Sequence, residues 1–301
     1  MITGQMGIFS LGDEAHGFFE FSLCGGVKGL DLVRAIAKVR MPHTTVGGAN
    51  SVVGFRPELW RTCAAIPDDV HGFNDPLSGP DGFTMPATQA DAFVWYASAH
   101  YDWIFDLGGE TVQALSGVAK LVREFTGWSY RHSRDLTGFD DGTENPTLYE
   151  APSVSLIESG SVGEGGSILL FQQWRHDWPA WSALDVAHQE LVIGRTKADS
   201  VELSEKAMPA DSHVSRTTLD IGGVEQPIFR RNVPYGCVSN HGTLFVGFAA
   251  EQRRLHGMLV QMAGADGGPR DALTRFATAL TGAYYFCPSV NALATFVTDS
   301  A

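Results

Sequence analysis

The sequence predicts an α+β chain built twice over, each half running β-α-β-β-α-β with antiparallel sheets. Three observations carry that class. Short apolar runs alternate with a period of two, longer segments place apolar residues every three to four positions, and a Gly/Ser-rich stretch (APSVSLIESGSVGEGG, residues 151–166) falls midway. The order is that of ferredoxin-like units, and it divides the chain into residues 1–150 and 151–301.

Phe19, Phe21 and Leu23 alternate within an expected strand from Phe18 to Cys24, and Leu30, Val33, Ile36 and Ala37 share one face of an expected helix over 28–40. Ser51 to Phe55 reads as a strand. Residues 64–90 read as loop, because Pro67, Pro76, Pro80 and Pro86 interrupt them. Ala92 to Ala97 returns to strand. Val112, Leu115, Val118, Val122 and Phe125 then predict a helix over 110–125, and Trp128 to His132 an extended segment. In the second half, Ser167 to Trp174 predicts a strand and 180–192 a helix. Strands are expected at Pro227–Arg230 and Leu244–Phe248. Leu255, Met258, Leu259 and Met262 mark a helix over 251–263, Leu273, Phe276 and Leu280 continue helically over 271–280, and Ala283 to Cys287 closes as a strand.

Composition narrows the function. With 44% hydrophobic and 18% charged residues, 301 residues can bury a sizeable core. Eighteen Phe, seven Trp and seven Tyr suit a pocket for a flat apolar ligand, although aromatics fill ordinary cores too. A net charge of −13 disfavours nucleic acid as a partner. Cys24, Cys63, Cys237 and Cys287 show no metal-type spacing and read as reduced thiols of a cytoplasmic protein. No stretch has the length and apolarity of a membrane span, and the opening MITGQMGIFS does not read as a signal peptide. Neither a membrane partner nor a nucleic-acid partner is expected.

The most unusual segment is Gly138-Phe139-Asp140-Asp141-Gly142-Thr143-Glu144-Asn145-Pro146, with three carboxylates and two glycines in nine residues. By composition it is a turn, and it lacks the ligand spacing of an EF-hand. Its residues nevertheless resemble the GxxDG motif of the dye-decolourising peroxidase family, with Gly138, Asp141 and Gly142 in the defining places. Asp211-Ser212-His213-Val214 resembles the family's segment carrying the proximal haem histidine. Ile228 to Asn232 followed by Pro234-Tyr235-Gly236 resembles its distal-arginine strand. Further matches are GSILLFQQWRHD (166–177), Ile193 to Lys197, and the closing segment from Thr281-Gly282 to Pro288-Ser289. The resemblance runs in order along roughly the whole chain and is nearest to the compact bacterial, B-type branch.

That resemblance implies one haem b per chain, held in the C-terminal half. It implies His213 as the axial iron ligand, chosen among ten histidines of which His241 and His256 are rivals in the same half. A carboxylate should accept the second ring N–H. Asp271 is one candidate, whereas the family's acid after Pro-Ser is here Asn291. Asp141, Arg230 and Asn232 are the implied catalytic residues. Arg230 also contacts the cofactor side, and Arg231 is expected on the opposite strand face. Arg195 is a candidate for a propionate, with an ordinary ion pair as the alternative. The implied function is a DyP-type peroxidase: reduction of hydrogen peroxide and oxidation of dyes, phenols or other organic reductants through an oxoferryl intermediate. Association into homo-oligomers is also expected. The alternative is a haem carrier or haem-handling protein. With Asp141 titrating near roughly pH 4 as an ordinary Asp does, activity is expected to persist in acid. Fourteen Trp and Tyr could relay electrons from bulky donors, and the sequence singles out none.

Overall fold

The computed structural model describes residues 4–39, 48–131 and 134–297. The first half supplies strands β1 (Ala15–Leu23), β2 (Ala49–Phe55), β3 (Ala92–Ser98) and β4 (Ala119–Trp128), with helix α1 (Gly29–Lys38) after β1 and α2 (Tyr101–Ala114) after β3. The second half supplies β5 (Ser167–His176), α3 (Val186–Ile193), α4 (His213–Thr217), β6 (Phe229–Arg230), β7 (Val233–Cys237), β8 (Asn240–Ala249), α5 (Gln252–Ala263), β9 (Ala277–Ala279) and β10 (Ala283–Cys287). No helix among the described residues is long and apolar enough to cross a membrane.

The strands form one closed antiparallel ring, in the order β5-β10-β2-β3-β1-β4-β7-β8, with β8 pairing back onto β5. Each half contributes a contiguous set, β2-β3-β1-β4 and β10-β5-β8-β7. The sets meet at two seams of one residue pair each, Phe286 with Phe55 and Gly127 with Tyr235. Strand β9 continues along the same edge of β5 as β10, and β6 along the same edge of β8 as β7. The α+β class with antiparallel pairing therefore holds, and the two sheets expected from the pattern are fused into one.

Closure explains why these strands read as nearly continuous apolar runs: both faces are covered. Successive side chains point to opposite faces. Phe18, Phe93, Trp95, Leu169 and Phe171 face inward into one aromatic cluster, while Phe19, Val94, Tyr96 and Leu170 belong to a second cluster with the helices. Phe171 stacks at 5.3 Å on Phe18 and lies 5.0 Å from Phe93. It is fully buried, so Phe171→Ala should cost about 3–5 kcal/mol. Urea unfolding of the two proteins measures this, and a midpoint unchanged from the parent would contradict a barrel interior packed around Phe171.

Five sequence expectations are corrected. The helix placed at 110–125 lies at 101–114, and the chain turns at Gly117 (φ 81°) into β4. Residues 120–126 alternate between exposed and partly buried, and Val122, Phe125 and Thr126 favour strand. The period of α2 was hidden because Trp103 and Phe105 on it face solvent. Trp128 ends β4, residues 129–131 are not strand, and His132 lies outside the described residues, as does His43. The helix expected at 271–280 is a 3-10 turn, Ala272–Arg275, capped by Asp271, followed by β9. The helix at 180–192 is two short helices, Trp178–Ser182 and α3, because Asp185 caps the second. Only Phe229–Arg230 of the strand at 227–230 pairs, and Val233–Cys237 was missed.

Candidate active site

Between the barrel and the segments that cross its second half lies a cleft. Trp174, Ile193, Ile228, Phe245, Met258 and Leu273 give it apolar walls. His213, Asp141, Arg230, Asn232 and Arg195, far apart in sequence, all line it. His241 and His256 do not. His176 does, and sequence reasoning gave it no role.

His213 is the first residue of α4, whose start Ser212 caps by accepting the Ser215 N–H at 3.3 Å. Its Nδ1 lies 2.7 Å from Oδ2 of Asp271, a fully buried carboxylate. Oδ1 of Asp271 accepts the Leu273 N–H at 2.8 Å. The Asp271 and Ala272 N–H groups donate to Met262 O at 3.0 Å and Asp211 O at 2.7 Å, tying the capped turn to the segment before His213. With Nδ1 the protonated nitrogen, Nε2 keeps its lone pair, and it has no hydrogen-bond partner among the described residues. The structure thus selects Asp271 over Asn291.

The turn at 138–145 sorts its three carboxylates. Asp140 pairs with Arg134 at 3.1 Å and accepts the Ser200 hydroxyl at 2.6 Å. Glu144 pairs with Arg195. Among the described residues only Asp141 of the three has no cation in contact; its Oδ1 accepts a hydrogen bond from Asn232 Nδ2 at 3.2 Å. Gly138 (φ 91°) and Gly142 (φ 78°) take left-handed conformations that a side chain would strain. Asn145 locks the turn to β6. Its side chain accepts from Arg230 N and donates to Arg230 O, both at 2.8 Å, as a neighbouring strand would.

This clamp leaves the Arg230 guanidinium without a hydrogen bond or ion pair among the described residues, beside Asp141. Asn232 is held by the Val246 N–H, donated to its Oδ1 at 3.1 Å. Arg231 turns the other way, as strand alternation requires: it is buried, stacks 5.1 Å over Trp95 and donates to Ile8 O at 2.7 Å. Arg195 is buried and engaged by Glu144, by Glu202 at 3.0 Å and by Ser200 O at 2.8 Å.

Asp141 is half-buried as a residue, yet protein atoms crowd its carboxyl. That desolvation pushes it above the ordinary carboxylate range. Arg230 and the Asn232 hydrogen bond oppose the shift, and Asp135 adds to it. The expectation of an ordinary Asp is therefore corrected: the Asp141 carboxyl takes up its proton at a higher pH than a free aspartate does.

Similar proteins bear on the whole arrangement. A family model described as Dyp-type peroxidase, C-terminal, matches residues 132–292. A dye-decolorizing peroxidase of Mycolicibacterium paratuberculosis is 38% identical over 269 residues, covering 87% of this chain and 74% of the relative. One of Mycobacterium tuberculosis is 36% identical, covering 87% and 78%. Among solved structures, DyPB of Rhodococcus jostii RHA1 is 33% identical and covers 97% of both chains at a TM-score of 0.87. A variant of that protein was solved in complex with heme, at 33% identity and a TM-score of 0.85 over 94% of this chain and 96% of that one.

Proposed function

The chain belongs to the Dyp-type peroxidase family and is a haem peroxidase, and on that premise we propose which residues hold the cofactor and move the proton. One haem b fits the cleft. A flat apolar macrocycle suits the walls, and His213 offers an unengaged Nε2 backed by a buried carboxylate. His213 would supply the iron ligand when haem is bound, and Asp271 would make its imidazole more electron-donating. Arg195, which now pairs with Glu144 and Glu202, would hold a propionate when haem is bound. When bound, haem supplies the redox centre, taking two oxidising equivalents from hydrogen peroxide and passing them one at a time to organic reductants.

The chain's own part is proton transfer and charge stabilisation. Asp141, ionised, accepts a proton from incoming hydrogen peroxide and returns it to the outer oxygen, which leaves as water. Arg230, with its donors uncommitted, stabilises the negative charge that develops on that oxygen. Asn232 holds the Asp141 carboxyl in place. The observation that carries this reading is the convergence of Asp141, Arg230 and Asn232 in the cleft that His213 also lines. A carrier has no use for an acid–base pair there. Rapid mixing of the haem-loaded protein with peroxide should give many turnovers of dye oxidation per haem. Bleaching of the cofactor within a few turnovers would instead mark a haem carrier.

The same reading includes two ferredoxin-like halves, 1–150 and 151–301, supported by the β-α-β-β-α-β order and the matching strand order of each. It also includes homo-oligomers in a reducing cytoplasm. The solvent-facing aromatics Tyr101, Trp103 and Phe105 on α2 and four free cysteines support those two points.

A further inference from the structure

Of the other carboxylates on the segment that carries Asp141 and lines the cleft, Asp140 and Glu144 are ion-paired; among the described residues, Asp135 is not. Its Oδ1 accepts the Thr137 N–H at 2.8 Å, and its Oδ2 accepts the Thr243 hydroxyl. The same hydroxyl lies 3.1 Å from His176 Nε2. A hydroxyl has one proton to donate. Because Thr243 gives its proton to Asp135, it must accept from His176, so the Nε2 of His176 carries the hydrogen.

Nδ1 of His176 is then the bare nitrogen, buried and without a hydrogen-bond partner among the described residues. Protonating it would bury an unpaired N–H, which adds to the desolvation cost of a cation there. His176 is accordingly neutral, so it does not cancel the charge of Asp135. The nearest guanidinium in sequence, Arg134, is committed to Asp140. Asp135 thus stands as an anion that no cation touches among the described residues.

Resting on the reading of Asp141 as the base, we propose that Asp135 is a positioning residue for it: the charge of Asp135 sets how acidic the medium can become before Asp141 stops accepting the peroxide proton. Like charges on one cleft wall disfavour joint ionisation. Asp135 is the group that stays ionised. Burial works against it, but the Thr243 and Thr137 hydrogen bonds hold its carboxyl below the usual range. Asp141 is the one pushed up, first by burial and then by Asp135 against the pull of Arg230.

The groups facing these three come from every element around them. Arg230 of β6, Asn232 and the Gly142 N–H face Asp141. Thr243 of β8 and Thr137 face Asp135. His241 of β8, with ring centroids 6.2 Å away, faces His176, whose imidazole burial depresses in spite of Asp135. Beyond His241, at 5.7 Å, is the exposed Trp178.

Asp135→Asn keeps the shape and one of the two acceptor oxygens, and the Thr243 hydroxyl can turn to accept from the new amide, while the charge is removed. In the haem-loaded variant, the acid limb of the rate of reaction with hydrogen peroxide should move down by about half to one pH unit. The infrared band of the protonated Asp141 carboxyl, assigned by its loss in Asp141→Asn, should titrate lower by the same amount. Thr243→Val, which loosens the segment but keeps both carboxylates, should not lower either midpoint. The proposal is overturned if Asp135→Asn leaves both midpoints in place, or if Thr243→Val lowers them equally, since geometry rather than charge would then be the cause. A peroxide rate unaffected by Asp141→Asn would overturn the assignment of the base itself, an outcome distinct from either.

Discussion

His213→Ala should yield a folded protein that has largely lost its haem. Helix α4 is capped by Ser212 rather than by His213, so far-UV circular dichroism should match the parent. The affinity measured by titrating haem into the apoprotein should fall by more than the roughly 10–100-fold that removal of an outer-sphere partner alone costs. Asp271→Asn supplies that reference. It keeps the ligand and removes only the carboxylate that accepts from Nδ1 at 2.7 Å, so its loss should stay within the 10–100-fold span. The apoprotein of His213→Ala should also be less stable by about 1–3 kcal/mol, because Oδ2 of the buried Asp271 loses its donor. Parent-like haem affinity with an unchanged Soret band would mean that another side chain holds the iron.

Arg230→Leu and Asp141→Asn should separate cofactor binding from chemistry. Neither residue holds the axial position, so both variants should load haem as the parent does. Losing Arg230 removes the preorganised donors for charge on the departing oxygen, worth about 10²–10³-fold in rate. Losing Asp141 removes the proton carrier, worth about 10²–10⁴-fold. The double variant should be little slower than the worse single one, since the two act on one step. Stopped-flow absorbance after mixing with hydrogen peroxide measures all three. If both single variants react at the parental rate, Asp141 and Arg230 have no part in the peroxide step. The desolvated position of Asp141 adds a sign: the base must be ionised, so the parental rate should fall as pH drops through a value above that of a free aspartate.

Most strands, α1 and α5 were legible because their burial follows a strict period. The region 101–128 was not: α2 turns aromatics to solvent and β4 buries only alternate residues partly, so each lost the contrast on which periodicity depends. The segment 271–280 failed for another reason. Asp271 spends its backbone and carboxylate on Leu273, Met262 and His213, contacts that no local pattern encodes.

For the site, the linear motifs named His213, Asp141, Arg230, Asn232 and Arg195, because residue type at fixed spacing survives in one dimension. They could not show that Arg195 is already ion-paired, that Asp271 and not Asn291 backs His213, or that Asp135, Thr243 and His176 join across 108 and 67 positions of sequence. Those facts depend on distance and desolvation. Both are set only when β5, β8 and the 135–145 segment are brought together, because hydrogen bonds and charge coupling fall off within a few ångströms in space, whatever the separation along the chain.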